Sequence, residues 1–183
     1  MKWLLLAALL IDPKWVDTLD RVASDQVMID QCVKENICSR ETKEFARLMA
    51  IAEGESDHAR IGKINAEINA SICRDTDLRV WHVEDFWASP LATIHAGRGD
   101  CDDIAILKLV VFRNIGIASS RMRLAVVKNH NEQHAVVLIF FDGGWFMLNS
   151  TTNTIVPLNL VTYYTFITEF ELDSPAAVDL VVP

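Results

Sequence analysis

Positive charge is scarce in this 183-residue chain. Its 17 Lys and Arg stand against 25 Asp and Glu, a formal net charge of −8. No run of Lys or Arg interrupts this balance, which argues against nucleic acid as a partner, because phosphates call for a basic patch. Cysteine is scarce too. The four present (Cys32, Cys38, Cys73, Cys101) are too few for a disulfide scaffold and leave room for one bridge, one catalytic thiol, or neither. Long apolar runs are confined to Met1–Ile11, where Lys2 is followed by nine apolar residues. Such a run is too short to span a bilayer, so no transmembrane span is expected. Asp12-Pro13 ends it and no small-x-small cleavage site follows. Residues 1–30 therefore read either as an N-terminal helical segment or as a partial signal sequence. Repeats, linkers and low-complexity tracts are absent, so residues 1–183 read as one domain. With 51% hydrophobic and 23% charged residues the composition excludes disorder as the main state. A chain of this length buries roughly 70% of its unfolded surface and needs no metal or disulfide to fold.

What is present is helical first and extended second. The first 38 residues read as helical with a loose apolar pattern. Ser39 is an N-cap candidate for a helix to about Ala52, with Phe45, Leu48 and Met49 on one face. Gly54 breaks the pattern and Ser56 can cap the next helix, where Ile61, Ile64, Ile68 and Ile72 make one stripe beside Asn65 and Asn69. The stretch from Cys73 to Arg98 reads as irregular and aromatic-rich. After the turn at Gly97–Asp100, Cys101–Ile115 reads as a helix stopped by Gly116. The period then becomes extended: Met122–Lys128, the buried run His134–Phe141, a turn at Asp142-Gly143-Gly144, a returning strand Trp145–Asn149, and further strands at Thr154–Leu158 and Tyr163–Glu171. Helices followed by antiparallel strands make an α+β fold.

Three polar residues stand at the ends of apolar elements: Cys101 at a helix start, His134 at a strand start and Asn149 at the end of the next strand. A thiol at a helix N-terminus feels the positive end of the helix dipole. A neighbouring strand can bring an imidazole to take its proton, and the partner strand can present a side-chain oxygen to the other ring nitrogen. The hairpin brings His134 and Asn149 toward the same open end, and the helix amides can stabilise an oxyanion.

The stretch GRGDCDDIAILK (97–108) resembles the nucleophile motif of the bacterial transglutaminase-like cysteine peptidases, a papain-like family. Supporting matches lie at KINAEIN (63–69), DFWASPLAT (85–93), IGIASSRMRLAVV (115–127), QHAVVLIFFDGGWFML (133–148) and around YYTFITEF, so the resemblance covers about residues 30–175. It implies a papain/transglutaminase-like α+β fold in which N-terminal helices and the nucleophile helix pack on an antiparallel sheet. It implies a cysteine peptidase with Cys101 as nucleophile and His134 as base, acting on a protein or peptide. At the third position the family has Asp, within a sequence like LDN, where this chain reads Leu148-Asn149-Ser150. Asn can orient a His but cannot neutralise an imidazolium. That keeps two further readings open: a catalytically degenerate binding or regulatory module, and an amine acyltransferase using the same triad.

The acids Asp100, Asp102 and Asp103 crowd the thiol, and like charge raises its pKa. A hard cation would relieve this. Some family members depend on Ca2+ through acids flanking the nucleophile, so the resemblance makes Asp100 and Asp102 candidate ligands. The alternative is that acids at a helix N-terminus merely favour the helix. In the matched DFW segment, Phe86 reads as core, while Trp87 reads equally as core or as a candidate for the cleft or the oxyanion site. Relatives of this kind often carry a cysteine pair near Cys32 and Cys38 and are exported. The resemblance therefore allows a Cys32–Cys38 disulfide and a periplasmic or secreted location, against reduced thiols and a cytoplasmic one. Cys73 is then left unpaired and buried. Specificity falls to the loops 73–96 and 128–133.

Overall fold

The computed structural model describes residues 11–51, 53–130 and 132–181. Met1–Leu10, the bulk of the apolar N-terminal run, lie outside the described residues. Helix α1 (Pro13–Glu35) starts at Asp12, whose side chain accepts the Lys14 and Trp15 amides, and ends at Asn36 in the left-handed region. A disulfide joins Cys32 to Cys38 across the following turn. Helix α2 (Arg40–Ala50) is capped by Ser39, and α3 (Asp57–Ser71) by Ser56, at the two positions read as caps. The isoleucine stripe of α3 is buried.

The stretch read as irregular holds short regular pieces. Strand β1 (Cys73–Arg74) is followed by α4 (Asp77–Val80) and by α5 (Pro90–Ala96), which has Pro90 in its first turn. Strand β2 (Arg98–Gly99) pairs in parallel with β1 and leads directly into α6 (Cys101–Asn114). These pieces are too short for a hydrophobic period to reveal them. Cys73, expected to be buried, is free and exposed, because a two-residue strand at the surface gives its side chain no cover.

A six-stranded antiparallel sheet follows. Its strands are β3 (Met122–Asn129), β4 (Glu132–Phe141), β5 (Gly144–Leu148), β6 (Val156–Pro157), β7 (Thr165–Phe170) and β8 (Ala177–Val178), in the order β6-β5-β4-β3-β7-β8. The strand expected over Thr154–Leu158 shrinks to β6, because the chain turns into a short 3-10 helix at Leu158–Leu160. The β4–β5 turn has positive φ at Asp142 and Gly143, as two-residue hairpins of type I′ need.

Side chains alternate across β4. Ala135, Val137, Ile139 and Phe141 face the helical core, while Val136 and Leu138 join Ala125, Val127 and Met147 in a second cluster on the other face. Cover on both faces explains why HAVVLIFF is a continuous apolar run. Helix α6 is buried along almost its whole length against the sheet and the other helices, so its N-terminus is held rigidly at the ends of the strands. A register shift in the β3–β7 pairing falls between Val126 and Val127, opposite Ala135 and His134.

Gly99 sets the approach of β2 to α6. A Cβ there would lie 2.5 Å from Asp103 Oδ2 and 2.8 Å from Asp103 Cβ. Asp103 cannot yield, because its carboxylate already accepts the Trp81 indole N–H and the Ala88 amide. Gly99→Ala is expected to lower stability by about 1–3 kcal/mol, read from the midpoint of urea unfolding.

Candidate active site

The first turn of α6 is built from carboxylates. Asp100 caps the helix by accepting the Asp102 amide at 3.1 Å, and Asp103 reaches back to accept the Asp100 amide at 3.4 Å, a reciprocal capping box. Cys101 is thereby fixed as the first helical residue and is partly buried. Its Sγ accepts the Ala135 amide at 3.4 Å, so the thiol rests against the peptide that follows His134.

The His134 ring is engaged from its other side. Nε2 lies 2.8 Å from Asn149 Oδ1. The same Oδ1 accepts the Thr151 amide at 3.0 Å and the Thr151 hydroxyl at 3.0 Å. A backbone N–H can only donate, so Thr151 fixes the Asn149 amide with its oxygen toward the ring. His134 must then donate from Nε2, which leaves the lone pair of the neutral ring on Nδ1. Tyr164 stands near the imidazole, with ring centroids 6.2 Å apart.

Two residues without a role in the sequence reading hold Asn149 from behind. Lys108 is 1% exposed and donates from Nζ to the Asn149 carbonyl at 2.9 Å. Asn69 Nδ2 donates to the same carbonyl at 3.1 Å and also to the Thr152 carbonyl, while Asn65 donates to the Asn153 carbonyl at 3.3 Å. The available signals were a lysine inside an apolar helix run and two Asn beside the isoleucine stripe. Neither names a partner some 40 to 90 residues away.

The electrostatics run against an ionised thiol. Burial, reinforced by Asp100 and Asp102, pushes the Cys101 pKa up to about 12, and the Ala135 amide and Arg74 oppose this only in part. Burial lowers the His134 pKa, and the Asn149 bond offsets part of that. Burial and the Asp100 and Asp103 charges raise Asp102 well above the usual carboxylate range. Asp103 is pushed up to about 7 by burial, against the Ala88 and Trp81 donors. Asp77 is pushed up to about 6, first by burial and then by Asp100 and Asp85.

These acids form one patch. Ligand atoms of Asp77, Asp100 and Asp103 lie within 4.8 Å of one another, and so do those of Asp100, Cys101 and Asp102. Oδ1 of Asp102 and Oδ1 of Asp77 are buried without a hydrogen-bond partner. Buried carboxyl oxygens lacking donors suit a hard divalent cation, which would favour their ionised form. Asp77 was not legible in the sequence, since its closeness to α6 depends on the β1–β2 pairing. Trp87 is 7% exposed and sits in an aromatic cluster, with ring centroids 6.1 Å from Trp15 and 5.8 Å from Phe170. Its ring packs the core behind the cap, and its carbonyl accepts Arg21 at 2.9 Å.

A family model described as bacterial transglutaminase-like cysteine proteinase matches residues 27–177. Among solved structures, LapG of Legionella pneumophila is similar at a TM-score of 0.62 and 21% identity, over 76% of this chain and 81% of that one. The calcium-bound form of the same protein gives a TM-score of 0.63 at 20% identity, over 81% of this chain and 83% of that one. An EGTA-treated form gives 0.62 at 21% identity, over 76% and 78%. These likenesses show the shared fold. No curated protein sequence matches the chain.

Asp77, Asp102 and Asp103 hold their protons to higher pH in the folded protein than in the unfolded chain. Between about pH 4 and pH 6–7 the folded state thus binds more protons, and stability falls as pH rises. His134 acts in the opposite sense as a single group. In calcium-free buffer the Tm is expected to decline from about pH 5 to about pH 7, and Asp102→Asn to flatten the decline in a calorimetric series.

Proposed function

The chain belongs to the bacterial transglutaminase-like cysteine proteinases, and we propose that it hydrolyses peptide or isopeptide bonds with Cys101 as nucleophile, His134 as base and Asn149 as the group that orients His134. The observation carrying this reading is the Asn149 amide, locked by Thr151 so that its oxygen accepts a hydrogen bond from His134 Nε2–H. His134 Nδ1 is then the free base. As the Cys101 sulfur attacks the substrate carbonyl carbon, its proton passes to Nδ1. The C–N bond breaks, Nδ1 returns the proton to the leaving amine, and a thioester remains. A water that gives its proton to Nδ1 attacks the thioester, the C–S bond breaks, and the carboxyl product leaves with the thiol restored. The backbone N–H of Cys101, which has no intrahelical partner at the helix start, is the candidate oxyanion donor.

Asp100 and Asp102 are the proposed holders of calcium, with Asp77 and Asp103 completing the acidic patch. The unpartnered oxygens of Asp102 and Asp77 support the fit. Calcium would supply positive charge where carboxylates now add to the effect of burial in keeping the thiol protonated. LapG has been solved both calcium-bound and after EGTA treatment. The Cys32–Cys38 disulfide supports export to an oxidising compartment such as the periplasm. No helix among the described residues is long and apolar enough to cross a membrane.

A second reading is a binding module that keeps the cleft without the chemistry. The raised Cys101 pKa and the neutral Asn149 favour it.

Incubation with a proteome-derived peptide library in calcium, read by mass spectrometry of new termini, separates the readings. Cleavage by the wild type and none by Cys101→Ala is expected. No cleavage by either would favour the binding module, and products capped by an added amine would indicate acyl transfer. Asn149→Asp keeps the acceptor geometry and adds a charge that stabilises the imidazolium. It is expected to raise kcat/KM, by about tenfold for each ~1.4 kcal/mol of that stabilisation.

A further inference from the structure

The triad does not use the most deeply buried cation near it. Lys108 lies two turns after Cys101 on α6, within the run Ile-Leu-Lys-Leu-Val-Val. Its ammonium has one hydrogen-bond partner among the described residues, the carbonyl oxygen of Asn149 at 2.9 Å. Burial pushes its pKa down to about 7, with no carboxylate to offset the effect. Placing an ammonium in an apolar interior is costly, and an apolar side chain of similar length would fill the same space more cheaply. The position is explained if the bond it makes is needed.

We propose that Lys108, seconded by Asn69, is a positioning residue of the active site: it fixes the Asn149 peptide and so aims Asn149 Oδ1 at His134 Nε2. This rests on the triad reading above. Asn149 is then clamped at both ends. Its carbonyl takes Lys108 Nζ and Asn69 Nδ2, and its side-chain oxygen takes the Thr151 N–H and hydroxyl. One helix thereby carries the nucleophile at its first residue and, two turns on, the anchor of the group that orients the base. The relative placement of Cys101 and Asn149 is set by the rigid body of α6. The flexible route would run through the 149–153 loop, where Thr151, Thr152 and Asn153 are exposed.

The test is the tautomer of His134, read by 15N NMR in calcium-loaded protein. The wild type is expected to show a neutral ring protonated at Nε2, with that N–H slow to exchange with water. Lys108→Met keeps the bulk and removes the donor. It is expected to retain the helical spectrum and Tm, to lose the slow N–H, and to mix both tautomers. Alkylation of Cys101 by iodoacetamide at one fixed neutral pH should slow about tenfold or more, as loss of an aligned base requires. Lys108→Gln, which keeps an N–H donor without the charge, should recover part of the signal. A wild-type His134 signal in Lys108→Met, with the signal lost in Asn149→Ala, would overturn the proposal and leave the triad intact. A slow N–H that survives Asn149→Ala, or is missing from the wild type, would overturn the triad reading and the proposal with it. Should Lys108→Met fail to fold, Asn69→Ala decides at a half-buried position: faster exchange of the Nε2 proton is expected, and an unchanged rate contradicts the proposal.

Discussion

The first turn of α6 is stabilised by carboxylates, and those carboxylates oppose the thiolate that cysteine chemistry requires. Asp100 and Asp103 cap the helix reciprocally, and Asp103 also gathers the Trp81 and Ala88 donors. Removing the Asp100 charge would ease the repulsion on the thiol but loosen the helix start, and Asp103 secures the β2 approach at Gly99 and the 81–88 segment. The conflict is therefore built into the architecture. Positive charge brought to the same oxygens would relieve the repulsion without dismantling the cap, which is the place of calcium in the proposed function.

Everything behind that turn is arranged for rigidity. Helix α6 is buried against β4 and β3, and the Trp15, Trp87 and Phe170 rings wedge α1, the segment before α5 and β7 together. The base stands on β4 and its orienting group just past the end of the adjacent β5, and their relation is fixed by polar contacts. One amide oxygen takes three donors, and one carbonyl is held from α6 and α3. A buried polar network of this kind specifies a single geometry when its members are satisfied. Here it specifies the tautomer of His134.

Much of this was legible in the sequence because it is local. The caps at Ser39 and Ser56, the isoleucine stripe, the α6 period and the two-residue hairpin at Asp142-Gly143 each need only a few consecutive residues, and His134 and Asn149 follow from the hairpin. The rest is tertiary. Asp77 joins the acidic patch through a two-residue parallel pairing that no period announces. Asn69 and Lys108 meet at the Asn149 carbonyl across 80 and 41 residues of chain. Trp87 read equally as cleft or core from its segment, and only the positions of Trp15 and Phe170 place its ring in the core. The exposure of Cys73 likewise depends on where β1 lies.

Burial, reinforced by Asp100 and Asp102, holds the Cys101 thiol protonated, and a cation on those acids would lower its pKa. The most direct measurement is the rate of Cys101 alkylation by iodoacetamide against pH, in EGTA and in calcium, with the exposed Cys73 replaced by Ser so that one thiol is read. The account predicts an inert thiol through neutral pH in EGTA, with reactivity rising only at strongly alkaline pH. In calcium the whole profile should move down toward neutrality. Superimposable profiles in the two buffers, or a thiol already reactive at neutral pH in EGTA, would contradict it.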